Sequence, residues 1–404
     1  MLVYMSAIDF KIQHKIEGKL GRAGTITTAH GEIQTPAFIP VGTKATIKAL
    51  LPETVVSLGA QAELSNTYHL YLQPGDELVR DAGGLHKFMN WDKPIFTDSG
   101  GFQAFSLGSA LVQKVSKFQI GGEENYRKSD DEKAPKKATV SEEGVIFFSH
   151  IDGSKHLLSP EKSIEIQHNL GGDIIFAFDE CTSPNDSVEY LREAMGRTHR
   201  WAERSLTAHQ SYNNVEVGLF GIVQGGNDFD MRKESAEYIG GLGFDGFGIG
   251  GSFTKEDLNK ALFVVNEILP EDKPRHLLGI GSEPVDFFIG VENGCDTFDC
   301  VAPTREARNG TIYTLDGKIS ITNSKYINDL TPLSEWCDFF AGITYTRAYL
   351  SHLFRSKEIL ASTLATIINL RFVIKLVDDI RGSILEDRFE EFKGEFLARY
   401  YGKI

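Results

Sequence analysis

The sequence predicts an α/β fold built as a (β/α)8 TIM barrel, and three features carry that expectation. Eight short apolar runs each end in polar or glycine residues: "AFIPVGT", "AELSNTY", "PIFTDSGG", "IIFAFDECT", "LFGIVQGG", "GFGIGGS", "HLLGIGS" and "TFDCVAPT". The segments between them read as amphipathic helices, and near-continuous apolar strands alternating with helices belong to a parallel sheet covered on both faces. The length, 404 residues, suits a single barrel with additions. A doubly wound open sheet is the alternative that the same alternation allows.

In chain order, residues 1–36 are expected to form an N-terminal β-hairpin region and residues 37–310 the barrel core. The core is interrupted by "GGEENYRKSDDEKAPKKATVSEEG", Gly121 to Gly144. This stretch is charged, mixed in sign and almost free of large apolar residues, so it reads as a surface insertion. After Gly310, "TIYTLDGKISITN" predicts two short strands around an Asp-Gly turn. From about Ser334 the pattern is mainly helical, through "RFEEFKGEFLARYYGKI". Residues 311–404 therefore read as a C-terminal α/β subdomain inserted or appended near the last barrel units, and the whole, 1–404, as one domain without internal repeats.

Composition narrows the function classes. A hydrophobic content of 41% and a charged content of 24% are those of a soluble globular protein. The net charge of -14 argues against coating nucleic acid over the whole surface, although it leaves room for a local basic patch. Cys181, Cys295, Cys300 and Cys337 form no CxxC pair, so neither a disulfide framework nor a complete zinc motif is visible. The N-terminus lacks a charged segment followed by an apolar one, and no apolar run is seen to approach the roughly 18 residues of a membrane helix. A reducing cytoplasm and no membrane association are expected. No GxGxxG or P-loop phosphate cradle is present, "LGIGSEP" being a partial match only.

Barrel enzymes place their chemistry at the C-terminal ends of strands, so the residues terminating the runs are the ones to read: Asn66, Asp98, Asp179, Gln224, Gly251 and Asp299. Asp98 and Asp299 are two carboxylates at different strand ends. A pair about 5 Å apart serves retaining substitution at a sugar carbon, one attacking and the other moving protons. A metal ligand or a hydrogen-bonded structural acid are the alternatives for each. Ser99, Gly100 and Gly101 offer small side chains and backbone N–H groups to a flat ligand, and Phe102 offers a stacking face. Asp179 accepts from ring N–H groups while Gln224 both donates and accepts, a combination suited to the edge of a guanine-like base. Arg305 and Arg308, in the turn after Asp299, suit a phosphate backbone.

Six ordered stretches, "LSNTYHL", "TDSGGFQ", "SHIDGSKHLLSPE", "FDECT", "GIVQGG" and "FDCVAPTREARNG", together resemble the tRNA-guanine transglycosylases, or queuine tRNA-ribosyltransferases. The similarity runs from about Gly21 to the C-terminus, interrupted by the charged insertion. It implies a modified barrel, usually dimeric, that exchanges guanine at the tRNA wobble position for a 7-deazaguanine base. Asp299 would then be the nucleophile at C1′ and Asp98 the proton acceptor and donor. Asp98, Ser99, Gly100, Gly101, Phe102, Asp179, Gln224, Gly251 and Leu278 would hold the base. Gly279, Gly281, Ser282, Thr304, Arg305 and Arg308 would contact the tRNA. No nucleotide cofactor is implied, because a covalent intermediate conserves the glycosidic bond energy.

Two departures from the family pattern stand out. Family members hold a structural zinc with CxCxxC and a downstream histidine. Here Cys337 is the only ligand retained, with Phe339, Gly342 and Ile368 at the other positions and His352 aligned with a non-ligand. One thiolate cannot make a four-coordinate site, so no bound metal is expected and packing takes its place. Near the base pocket "GGSFTKE" stands where "GGLAVGE" is usual, and His276 and Leu278 stand where Tyr and Met are common. Cys181 in "FDEC" is bacterial-like, pointing to 7-aminomethyl-7-deazaguanine, whereas Ser252 and Thr254 would suit queuine. A catalytically inactive tRNA-binding partner subunit and a barrel glycosidase are the competing readings.

Overall fold

The computed structural model describes residues 7–109, 138–183, 186–251 and 257–402, with side chains from 106 to 109 excepted. Strands β1 (Asp9–Lys15), β2 (Arg22–Thr28) and β3 (Gly31–Thr35) form an antiparallel meander, one strand more than the expected hairpin. The extra strand arises from β1, whose side chains alternate exposed and half-buried as a strand with one covered face requires.

All eight apolar runs become strands of one sheet. They are β4 (Ala37–Ile39), β5 (Glu63–Ser65) and β6 (Ile95–Thr97). After three further strands come β10 (Ile174–Phe176), β11 (Gly218–Val223), β12 (Gly246–Ile249), β13 (Arg275–Leu277) and β14 (Thr297–Asp299). Their order is β4-β14-β13-β12-β11-β10-β6-β5, and a parallel bridge from Val41 to Leu64 brings the two ends of the sheet together. The result is a parallel, nearly closed barrel flanked by helices. Its strands are buried along their lengths, which is why they read as unbroken apolar runs rather than alternating ones. Bulk on one strand is met by glycine on the next: a Cβ at Gly246 would lie 2.4 Å from the Phe220 ring. Phe96, Phe176 and Phe220 pack together, with ring centroids 5.7 to 6.5 Å apart.

Strands β7 (Thr139–Ser141), β8 (Gly144–Phe148) and β9 (Lys155–Leu158) form an antiparallel sheet between β6 and β10 in the chain. Most of the expected insertion lies outside the described residues. Its end does not read as loop: Thr139–Ser141 is paired with β8, and the turn at Glu142 is anchored on the helix Val188–Ser211. Arg200 makes two hydrogen bonds to the Glu142 carboxylate, 2.7 and 2.8 Å, and the Trp201 indole N–H donates to the Glu142 carbonyl at 2.8 Å. The neighbouring charges had hidden a three-residue strand.

After β14 the chain forms the expected hairpin, β15 (Thr311–Thr314) and β16 (Gly317–Ser320), and then helices. The longest, Ile359–Leu385, corrects the expectation that no apolar run approaches the length of a membrane helix. Among the described residues it is the one helix long and apolar enough to cross a membrane, with a mean hydropathy of 1.6 over its best 18-residue window. Arg371, Lys375, Asp378, Asp379 and Arg381 broke the run to the eye. It is a core helix, with 67% of that window buried. Buried Asn369 accepts from the Tyr313 N–H at 2.9 Å and donates to the Pro303 and Thr311 carbonyls.

The chain divides into two compact units, one of Asn66–Leu85 and Phe96–Arg275 with a short N-terminal piece, the other of Asp9–Ser65, His86–Ile95 and the chain from His276 onward. In the second unit a buried ion pair ties the meander to the barrel strand that ends in Asp299. Arg22 donates from Nε and Nη2 to the two oxygens of Asp296, at 2.9 and 2.7 Å, with side chains 1% and 0% exposed. Removing one partner of such a pair strands a buried charge. Asp296→Ala should therefore lower unfolding free energy by about 3–5 kcal/mol in urea titration, and the apolar double variant Arg22→Met, Asp296→Leu should recover most of that loss.

Candidate active site

In the first unit, Asp98 follows β6 directly and is met from the end of β5. Its Oδ1 accepts the Thr67 N–H at 2.9 Å, and its Oδ2 accepts from the Asn66 side-chain amide. Asn66 does a second job, since its own carbonyl oxygen caps the helix Thr67–Leu72 by accepting from the His69 N–H at 3.0 Å. A cap residue that begins a helix thus also aims the acid of the next strand.

Asp179, three residues beyond β10, is gripped from both neighbouring strand ends. Ser99 Oγ donates to its Oδ1 at 3.0 Å and Gln224 Nε2 to its Oδ2 at 2.7 Å. Gly100, at φ 76°, and Gly101 permit this approach: a Cβ on Gly101 would lie 2.7 Å from the Asp179 carbonyl oxygen. Phe102 is half-buried at the start of the helix Gly101–Ser109. Gln224 is 3% exposed, and its Oε1 has no hydrogen-bond partner among the described residues. Gly251, at φ 107°, stands against it, since a Cβ there would lie 3.1 Å from that oxygen and 2.5 Å from Arg232 Nη2. Ser252, Phe253, Thr254 and Lys255 lie outside the described residues.

In the second unit, Asp299 ends β14 and is 8% exposed. Its Oδ1 accepts the Gly279 N–H at 2.7 Å and lies 3.1 Å from His276 Nε2. Cys300 beside it is no rival nucleophile, because burial pushes its thiol up to about 12. Leu278 is half-buried, and Gly279 and Gly281 take φ values of 69° and 136° that favour glycine. The Ser282 carbonyl accepts from Lys318 Nζ at 2.8 Å, and Lys318 pairs with Glu283 at 2.8 Å. The arginine turn is in fact a helix, Ala302–Arg308, entered through Pro303 near its first turn. Arg305 and Arg308 therefore share a face, three residues apart. Arg305 is exposed and Thr304 buried. Arg308 is half-buried, donates to the Thr304 carbonyl at 2.8 Å, and is held below the usual guanidinium range by burial and by Arg305.

Two supporting groups lie beyond the expected site residues. Arg232 is wholly buried and braces the loops after β11 and β12, donating to the Gly226 and Gly250 carbonyls at 2.9 Å each; burial pushes its guanidinium down to about 9. His276 against Asp299 is the other; the sequence showed it as a departure from the family pattern, with no sign of its contact to Asp299. Arg232 sits in an ordinary helix pattern and carries no local signal.

The C-terminal residues do not fit a structural zinc. Cys337 is buried, and a Cβ added at Gly342 would lie 2.5 Å from its Cβ and 3.0 Å from its Sγ, a spacing only glycine tolerates. Ile368, at the histidine position, is fully buried and offers no donor. Other contacts tie this loop down: the Cys337 N–H donates to Ser334 Oγ at 3.2 Å. Arg371, from the helix Ile359–Leu385, makes two hydrogen bonds to Asp338 at 2.6 and 2.7 Å.

The family model described as Queuine tRNA-ribosyltransferase matches residues 17–402. A queuine tRNA-ribosyltransferase of Fusobacterium nucleatum is 48% identical over 399 residues, covering 97% of this chain and 99% of that protein. Proteins of the same name from Thermoanaerobacter sp. (strain X514) and Lactococcus lactis are 48% and 46% identical, each across 98% of this chain, and are themselves covered to 98% and 96%. Six matching stretches, eight barrel strands and these likenesses along almost the whole chain agree, and the protein belongs to the queuine tRNA-ribosyltransferase family.

Proposed function

We propose that the protein exchanges the wobble guanine of tRNA for a 7-deazaguanine base through a covalent aspartyl–RNA intermediate. A lone pair of the Asp299 carboxylate forms a bond to ribose C1′ as the C1′–N9 bond breaks, and the electron pair leaves with guanine, which takes a proton from Asp98. The incoming base then gives a proton to Asp98 and its nitrogen attacks C1′, displacing the Asp299 carboxylate. One glycosidic bond is broken and one is made, so no nucleotide cofactor is needed. The wobble base must leave its stack to react, at a cost of a few kcal/mol.

The observation that carries this reading is the buried acceptor at Gln224 Oε1, set beside an Asp179 carboxylate whose two oxygens are fixed. A buried carbonyl oxygen left unpaired costs about 1–3 kcal/mol, so the site is built for a ligand N–H. Support also comes from the placement of Asp98 and Asp299, each at the C-terminal end of a parallel barrel strand. The helix bearing Arg305 and Arg308 follows the proposed nucleophile directly and suits the anticodon-loop phosphates; the reading assigns Thr304, Gly279, Gly281 and Ser282 to the tRNA with them. The reading includes a cytoplasmic, homodimeric protein without zinc. Exposed apolar side chains of the C-terminal region support the dimer, among them Leu330, Phe340, Ile343 and Ile359 at 77%, 51%, 61% and 84%.

Three outcomes follow. Offered guanine, 7-aminomethyl-7-deazaguanine and queuine in labelled form, with an unmodified tRNA bearing a wobble guanosine, the protein should incorporate one deazapurine in place of guanine. If no base enters while the tRNA still binds, the inactive partner-subunit reading replaces this one. Asp179→Asn should raise the KM for the incoming base about 10- to 100-fold in steady-state kinetics, because it weakens charged hydrogen bonds to the base edge and leaves tRNA contacts alone. Elemental analysis should find far less than one zinc per chain, with a Tm unmoved by a strong chelator; stoichiometric zinc and a chelator-sensitive Tm would contradict the metal-free reading.

A further inference from the structure

We propose that His276 is a positioning residue for the nucleophile: its imidazole spans two rungs of β14 and fixes the direction in which the Asp299 carboxylate faces. This rests on the assignment of Asp299 as nucleophile and deepens it.

The geometry begins with strand register. β13 and β14 are parallel, with His276 opposite Thr297 and Leu277 opposite Phe298. Side chains two residues apart on a strand share a face, so Thr297 and Asp299 both point to the side on which His276 lies. The ring reaches both. Nδ1 lies 2.8 Å from Thr297 Oγ1 and Nε2 lies 3.1 Å from Asp299 Oδ1, with His276 and Thr297 both fully buried. A carboxylate oxygen only accepts, so the contact to Asp299 requires the proton on Nε2. The Thr297 hydroxyl then donates to Nδ1 and holds that tautomer, as an orienting second group does for histidines at reactive sites. The Gly279 N–H reaches the same Oδ1 at 2.7 Å. Two donors on one oxygen, arriving from a backbone amide and a wedged ring, fix the plane of the carboxylate. The attacking lone pair then has one direction in place of a rotating set, and orientation of this kind acts on the rate of the chemical step rather than on ground-state binding.

Because the ring joins Thr297 to Asp299 through two separate nitrogens, Thr297 is part of the device.

The test compares His276→Leu, which removes both nitrogens, with His276→Gln, whose Nε2 amide can still donate to Asp299, and with Thr297→Val and Thr297→Ser. His276→Leu should lower kcat for base exchange about 10- to 100-fold with KM for tRNA and base nearly unchanged, and His276→Gln should recover most of that loss. Thr297→Val should lower kcat by a smaller factor and Thr297→Ser should match the parent. Equal kcat in His276→Leu and His276→Gln, or an effect on KM alone, would overturn the proposal. The tautomer gives a reading independent of activity, which separates this proposal from the assignment beneath it. Histidine-labelled nitrogen NMR should show His276 as the Nε2–H form, changed in Thr297→Val, whether or not the protein exchanges bases; an Nδ1–H ring would overturn the proposal by itself.

Discussion

An acid at the end of an apolar strand is tolerable only where hydrogen-bond donors meet it, and the site of this protein is arranged around that constraint. Each of the three strand-end carboxylates is met by the terminus of a neighbouring strand. Asn66 and Thr67, after β5, hold Asp98 after β6. Ser99 and Gln224, after β6 and β11, hold Asp179 after β10. Gly279, after β13, and His276 within it hold Asp299 at the end of β14. Strand order is therefore what brings each of these acids its donors.

This explains what the sequence disclosed and what it withheld. The eight barrel strands are buried throughout, so each is an apolar run with a polar full stop, and both the runs and their terminators are visible in one dimension. The donors are not. His276 shows as a departure from the family pattern but not as a donor, because Asp299 is 23 residues away and becomes its neighbour through parallel pairing; nothing marks Arg232, which reaches Gly250, 18 residues away, from a helix. Short elements were lost for a different reason: Thr139–Ser141 and Ala302–Arg308 sit among charges and are held by contacts with other elements, which override local composition. In the helix Ile359–Leu385, five charged residues masked a long apolar stretch; Arg371 of that set is engaged with Asp338, and Lys375 with Asp379.

The C-terminal region shows the same physics with other means. Where the family resemblance implies a metal-held loop, this chain has a serine accepting from a backbone amide, a two-hydrogen-bond arginine–aspartate pair and a close glycine–cysteine approach. Trp336 and Phe372 add an edge-on ring contact with centroids 4.8 Å apart. Such contacts act within the folded chain and do not depend on metal supply.

The central claim is that Asp299 carries the ribosyl group in a covalent intermediate. Protein mixed with wobble-guanosine tRNA, quenched in denaturant without an incoming base, and run on a denaturing gel tests it most directly, with the linked peptide identified by mass spectrometry. The account predicts a protein–tRNA adduct that maps to Asp299, disappears in Asp299→Asn, and is consumed when the incoming base is added. An adduct that persists in Asp299→Asn, or that maps to another side chain, would contradict it.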